Sequence, residues 1–334
     1  MLSEDSQHRI WAEDTISDCL DRHEYAPIIF VGSGISRRYL GAPSWRELLS
    51  ELATICPEIE YPIEYYEEEY TNPQIATQFI NAFRDWAWED HGQFEHFPRE
   101  LYDRDGSPDK YLKYKVAEFF RKLSPDSPDD LPDDFQEEIK ALRQISPHAV
   151  VTTNYDQLLE NIYPGFETMV GQDIYKKDRK KVGDLFKIHG CVTQEDSLIL
   201  TKSDYDDFEK QKKYISAKLL TYFSEHPVLI LGHSASDDNI QRLLSELDRM
   251  IPTDETDLIP NIFLLNYEDG AEKLEGDPNL SRDELIDVGD ERRVRVNAVH
   301  AHSFKWVYDA FGQGEASTKF KLSRYESSLT KYTT

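Results

Sequence analysis

Four short segments carry the residue types that could do chemistry, and each directly follows an apolar run. Ile28-Ile29-Phe30-Val31 leads into Gly32-Ser33-Gly34-Ile35-Ser36. Glycines let the backbone turn sharply, and a helix starting there offers unpaired N–H groups to an anion such as a phosphate. Ala149-Val150-Val151-Thr152-Thr153 leads to Asn154-Tyr155-Asp156, Leu185-Phe186-Lys187-Ile188 to His189-Gly190, and Val228-Leu229-Ile230-Leu231 to Gly232-His233-Ser234. Asn154 can donate and accept at once, so it can orient a water or a hydroxyl. The Asp156 carboxylate can stabilise positive charge, and the His189 imidazole suits a base near neutral pH. Arg46 is a basic group near the glycine turn that could reach an anion, with Arg37 and Arg38 as competitors. Each residue also has a plain structural reading: Asn154, Asp156 and Ser234 as helix caps, His189 as a loop residue, Trp45 as core. The third glycine of a dinucleotide fingerprint is missing, because Arg37 stands where it would fall.

The elements that must hold these residues read as an α/β protein. Short, uniformly apolar runs suit strands of a Rossmann-like parallel sheet flanked by helices, and such sheets bind ligands outside their carboxyl ends. Helical spacing covers residues 8–22, and Trp45, Leu48, Leu49 and Leu52 share a helix after the glycine turn. The character changes between 61 and 145. An acidic, aromatic stretch there is followed by Ile75, Phe79, Ile80, Phe83 and Trp86 at helical steps, then by a Pro- and Asp-rich loop and a helix over Phe135–Ile145. We read 1–60 with 146–310 as the Rossmann-like domain, 61–145 as a helical insertion and 311–334 as a polar tail. A helix over 239–250, opened by Asp237 and Asp238, follows Ser234. Ile262–Leu265 and Arg293–Val299 are further strands, and Glu268–Asp290 is expected to be irregular.

Composition narrows the classes. A chain of 334 residues can bury a sizeable core without staples. Its net charge of −26 argues against direct nucleic-acid binding. No run reaches the length of a membrane span, the amino terminus is polar and acidic, and three scattered cysteines suit a reducing cytoplasm. The aromatics of the insertion, including Tyr65, Tyr66, Tyr70, Phe79, Trp86 and Trp88, suggest a surface for self-association or a partner.

The ordered set GSGIS, TTNYD, IHG and GHS resembles the sirtuin family. It is most similar to the sirtuin-like NAD-hydrolase domains of prokaryotic anti-phage defence proteins, over roughly residues 20–310 with a dissimilar gap around 60–140. The resemblance implies NAD as substrate. It assigns Gly32, Ser33, Gly34 and Ser36 to the diphosphate, Asn154 and Asp156 to the nicotinamide and its ribose, and His189 to the catalytic base. Gly232 and Ser234 would also contact the dinucleotide. Zinc-dependent deacylating sirtuins carry two cysteine pairs after the His-Gly. Here Cys19, Cys56 and Cys191 form no C-x-x-C, so no zinc and no cofactor beyond the NAD substrate is expected. His91, His96, His300 and His302 show no ligand spacing. The resemblance leaves three readings open: an NAD hydrolase serving defence by NAD depletion, an NAD- or ADP-ribose-sensing module without turnover, and a zinc-free deacylase or ADP-ribosyltransferase. Asn154 and His189 argue against a pure sensor, and the missing cysteines argue against a deacylase. A toxic hydrolase needs restraint, so a homo-oligomer or a separate regulatory or ATPase protein is expected.

Overall fold

The computed structural model describes residues 5–313, apart from 90–93, 104–105, 125–126, 128–129, 172–182, 212, 235–240, 242, 248–256, 270–279 and 290–291. The strands are β1 (Ile28–Val31), β2 (Ala149–Thr152), β3 (Glu167–Val170), β4 (Asp184–Lys187), β5 (Val228–Leu231), β6 (Leu258–Tyr267), β7 (Asp283–Gly289) and β8 (Arg292–Ala301). They form one mixed, mostly parallel sheet in the order β3-β4-β2-β1-β5-β6-β8-β7, with β7 alone running antiparallel to its neighbour. The chain leaves β1 toward β2, β4 and β3 on one side, then returns to β5 on the other. The carboxyl end of β1 is therefore a topological switch point, where open α/β sheets form their ligand crevice.

Register explains why four distant motifs meet. Val31 pairs with both Thr152 and Leu231, and Thr152 pairs with Lys187. The four strands thus end in one row, and the loops that begin at Gly32, Thr153, Ile188 and Gly232 leave at the same level.

Every residue of β1, β2, β4 and β5 is buried, as in a sheet covered on both faces. Strand alternation divides them. Ile29, Val31, Val150, Leu185 and Leu229 join the helices α1 (Asp5–Arg22), α2 (Ser33–Leu40) and α8 (Asp133–Gln144), and a last described helix, Lys305–Gly312. Ile28, Phe30, Val151, Phe186 and Ile230 face the other way, toward Phe223 of α11 (Lys213–Glu225) and toward Leu243, Leu244 and Leu247.

A third cluster is helical. It gathers α3 (Trp45–Ile55), α5 (Asn72–Trp88) and α7 (Lys110–Leu123) around Leu49, Phe79, Phe83 and Val116. Ser44 and Glu47 cap α3 reciprocally, and Thr71 and Gln74 do so for α5. The same cluster takes in Tyr155, Cys191, Leu198 and Leu200 from the loops after β2 and β4. The helical unit is therefore packed directly onto the strand-end loops. Of the insertion aromatics, Phe79 and Trp86 are buried, whereas Tyr65 and Trp88 are exposed.

The structure departs from the sequence reading at several places. β7 lies inside the stretch expected to be irregular; it is an edge strand burying Ile286 and Val288, with acidic residues on its open face. β3 carries only four residues and has no counterpart among the expected strands. The helix Lys305–Gly312 crosses the boundary expected at 311, and Phe311 is fully buried. α8 falls within the span read as insertion, yet Ile139 and Leu142 pack in the sheet-face cluster with Tyr308. Asp237 and Asp238 lie outside the described residues. Among the described residues no helix is long and apolar enough to cross a membrane.

Candidate active site

The glycines of the first and fourth motifs serve each other. Gly34 N–H donates to Gly232 O at 2.9 Å, and Gly32 N–H donates to Leu231 O at 2.8 Å. A Cβ on Gly34 would lie 2.8 Å from the Gly232 Cα. Gly232 has φ +66, and a Cβ there would lie 2.5 Å from the Ile35 nitrogen. Two backbone turns touch with no room for a side chain on either. The glycine pattern thus carries backbone-on-backbone packing, in which the Gly34 N–H is engaged. His233, for which the sequence suggests no role, stacks on Phe30 with ring centroids 4.9 Å apart and covers Gly32.

On the β2 side of this joint lies a small cavity of about 140 Å³, bordered by Ser33, Ser36, Trp45, Asn154, Asp156 and His189. Its polar groups form a chain of fixed direction. Thr152 Oγ1 donates to Val31 O and accepts from Asn154 N–H, which sets the loop. Asn154 Nδ2 then donates to Gly32 O at 2.9 Å and to Ser36 Oγ at 2.8 Å. Ser36 Oγ donates to Asp156 Oδ2 at 2.5 Å, and Asp156 Oδ1 accepts from Leu158 N–H at 3.0 Å. With both amide hydrogens spent, Asn154 presents only Oδ1, a buried acceptor with no hydrogen-bond partner among the described residues. Ser36 is 3% exposed and orients the amide. Asp156 lines the cavity, and its two oxygens accept from Ser36 and from the start of α9 (Leu158–Ile162).

His189 follows β4 and is 4% exposed. Gly190 has φ +97, and a Cβ there would strike Ser197 O, so only glycine lets the chain fold back over the histidine. Ile199 N–H donates to His189 O at 3.0 Å, closing that loop. Rings of Tyr205 and Phe208, from α10 (Lys202–Gln211), meet the imidazole nearly edge-on.

Sequence reasoning passed over Lys187, the last residue of β4, although a lone lysine ending an apolar run was a readable signal. Its ammonium is buried and donates to the carbonyls of Tyr155 and Asp156, and to Glu160 Oε1 at 2.8 Å. Burial opposes its charge, but Glu160 foremost among its neighbours outweighs burial and raises its pKa above the ordinary lysine value. Lys187 therefore pins the Asn154–Asp156 loop from below.

On the β5 side lies a wider, open cavity of about 950 Å³. Gly34, Gly232 and Ser234 border it, with Arg37 and Arg38 on one wall. Asn266, Tyr267 and Glu284 form the other, and Asn266 Nδ2 donates to Glu284 Oε2 at 2.8 Å. Arg38 is held in a bidentate pair by Glu138, which also accepts from Tyr39 Oη and Phe304 N–H. These bonds outweigh burial and lower the Glu138 pKa. Arg46 borders neither cavity; it pairs with Glu64 and Glu67 on the exposed surface of α4 (Ile63–Glu67). The structure thus gathers Ser33, Ser36, Asn154, Asp156 and His189 at one cavity and Gly34, Gly232 and Ser234 at the other. Gly32 sits at the joint.

A mostly parallel sheet with a switch-point crevice, and an asparagine and a histidine at adjoining strand ends, make a Rossmann-like α/β fold with a candidate site at its carboxyl edge. The family model described as the SIR2-like domain matches residues 148–288, which include Asn154, His189 and Ser234. The chain is similar to the NAD(+) hydrolase ThsA of Bacillus cereus (strain MSX-D12), with 23% identity over 314 residues. That alignment covers 91% of this chain and 57% of the relative, so the chain spans little more than half of that protein's length.

Proposed function

We propose that this chain hydrolyses NAD at the bond between nicotinamide and ribose. The observation that carries the reading is the Asn154 amide. Its Nδ2 is fixed by Gly32 and Ser36, and its Oδ1 is left as a lone acceptor in the cavity that also holds His189. An acceptor of fixed direction beside an imidazole suits a water or ribose hydroxyl placed for proton removal. In the reaction the water oxygen bonds to the anomeric carbon as the bond to nicotinamide breaks. The electron pair moves onto the pyridinium nitrogen, which leaves neutral, and His189 takes the proton from water. The small cavity would hold the nicotinamide ribose and the wide one the adenosine half, with the diphosphate crossing the joint at Gly32–Ser36. Hydrolysis by a named relative supports the reading.

The reading includes no zinc, because Cys19, Cys56 and Cys191 supply no C-x-x-C pair. The resemblance to defence proteins supports NAD depletion as the biological outcome. The exposed Tyr65 and Trp88 offer a surface for the self-association or partner contact that would restrain it. Chromatography of NAD incubated with the protein tests the reading, alone and with proteins encoded beside it. Nicotinamide and ADP-ribose should accumulate in equal amounts, with no dependence on chelators. NAD binding without nicotinamide release in any of these mixtures would favour the sensing module.

A further inference from the structure

We propose that α10 is the positioning element for the base, and that the Lys113–Asp204 ion pair transmits the placement of the helical unit to His189. The inference rests on the hydrolase reading. Tyr205 and Phe208 lie three residues apart, so they share one face of α10. Both rings meet the His189 imidazole edge-on, at centroid distances of 5.7 and 5.2 Å and interplanar angles of 81° and 82°. Their placement fixes where the imidazole can stand.

The start of α10 is held by one carboxylate and, from α5, by Thr77 Oγ1, which accepts from Lys202 N–H at 3.0 Å. Asp204 Oδ2 accepts from Leu200 N–H, Thr201 N–H and Thr201 Oγ1, at 3.1, 2.8 and 2.8 Å. Its other oxygen, Oδ1, accepts from Lys113 Nζ at 2.7 Å. Lys113 belongs to α7 of the helical unit, is 4% exposed and also pairs with Asp109 at 3.0 Å. A buried lysine shared by two carboxylates has little freedom to move without its partners. The segment between the base and α10 is tied as well: Tyr155, beside Asn154, donates its hydroxyl to Ile199 O at 2.6 Å. A shift of α7 would thus reach the base through Asp204 and two rings, with no contact between the helical unit and NAD required.

Steady-state kinetics on Asp204→Asn, Lys113→Met, the double variant, Lys113→Arg and Phe208→Leu test this. A displacement of about 1 Å can cost ~10²-fold in rate. Asp204→Asn and Lys113→Met should each lower kcat about 10- to 100-fold with KM for NAD within about twofold. The double variant should be no worse than the worse single one, and Lys113→Arg should recover most of kcat. Phe208 is half-buried at the edge of its cluster, so Phe208→Leu should fold and still lose about tenfold in kcat. The His189 imidazole NMR resonances should move in Asp204→Asn and Lys113→Met. Folded variants with parental kcat, losses in KM alone, or additive losses in the double variant would overturn the inference. If the parent releases no nicotinamide, the hydrolase reading fails separately. The imidazole resonances then decide, and unmoved resonances in folded Asp204→Asn would overturn the positioning role.

Discussion

The two cavities flanking β1 are built on opposite principles. On the β2 side, side chains hold side chains: Thr152, Asn154, Ser36 and Asp156 form one directed hydrogen-bond chain, with Lys187 beneath it. On the β5 side the walls are strand ends and α2, and the space is roughly seven times larger. A small cavity with prearranged polar groups suits transition-state chemistry, whereas a wide one suits binding of parts that do not react. The same switch point produces both, so the difference arises in the loops at the strand ends, not in the sheet.

The largest expected effect breaks the comparison on the narrow side. His189→Ala should reduce nicotinamide release by about 10²–10⁴-fold while NAD affinity, read by calorimetry, stays close to parental. A parental rate would remove His189 from the role of base. Gly34→Val strikes the joint that both cavities share. The valine side chain would meet the Gly232 backbone, so thermal unfolding should show a loss of about 1–3 kcal/mol or more, together with weaker NAD binding. A normal melting temperature with lost binding would instead show that the glycine serves ligand approach.

Ser36→Ala sharpens the contrast. It removes one of the two bonds of Asn154 Nδ2 and leaves Asp156 Oδ2 unpaired, so kcat should fall about tenfold with KM little changed and stability lower by about 1–3 kcal/mol. Tyr267→Ala is its counterpart in the wide cavity, where the ring is half exposed. KM should rise a few-fold, roughly threefold, with kcat retained. If Ser36→Ala moved only KM and Tyr267→Ala only kcat, the division of labour between the cavities would be reversed.

The smallest effect concerns pH on the wide side. His8 Nε2 accepts from the His300 N–H at 3.1 Å, and His300 borders the wide cavity. Burial, then the charges of His300 and Arg282, lowers the His8 pKa from 6.5 to about 4. The unfolded chain therefore binds a proton at higher pH than the folded one, and stability should decline as pH falls from 6.5 toward 4. Melting temperatures across that window should fall less steeply in His8→Gln than in the parent.

Much of the candidate site's placement was legible in the chain. Mostly apolar runs followed by Gly32, Asn154, His189 and Gly232 are strands whose ends must be polar, because a parallel sheet buries its strands and releases its loops at one edge. β7 escaped notice because an edge strand buries one face only and its acidic residues mimic a loop. Lys187 escaped because a buried cation is recognisable only through its partners, and Glu160 lies far from it in sequence. The residue types that could do the chemistry, and their order on strand ends, were determined by the sequence alone. Only the tertiary structure decided that Asn154 presents Oδ1, that Asp156 accepts from Ser36 and Leu158, and that Arg46 pairs with Glu64 and Glu67 away from both cavities. It also decided that the helical unit is linked to His189 through Lys113, Asp204 and the rings of α10. The reason is physical: apolar periodicity is a local property of the chain, whereas a hydrogen-bond direction exists only once the partner, here 118 residues away, has been brought within reach.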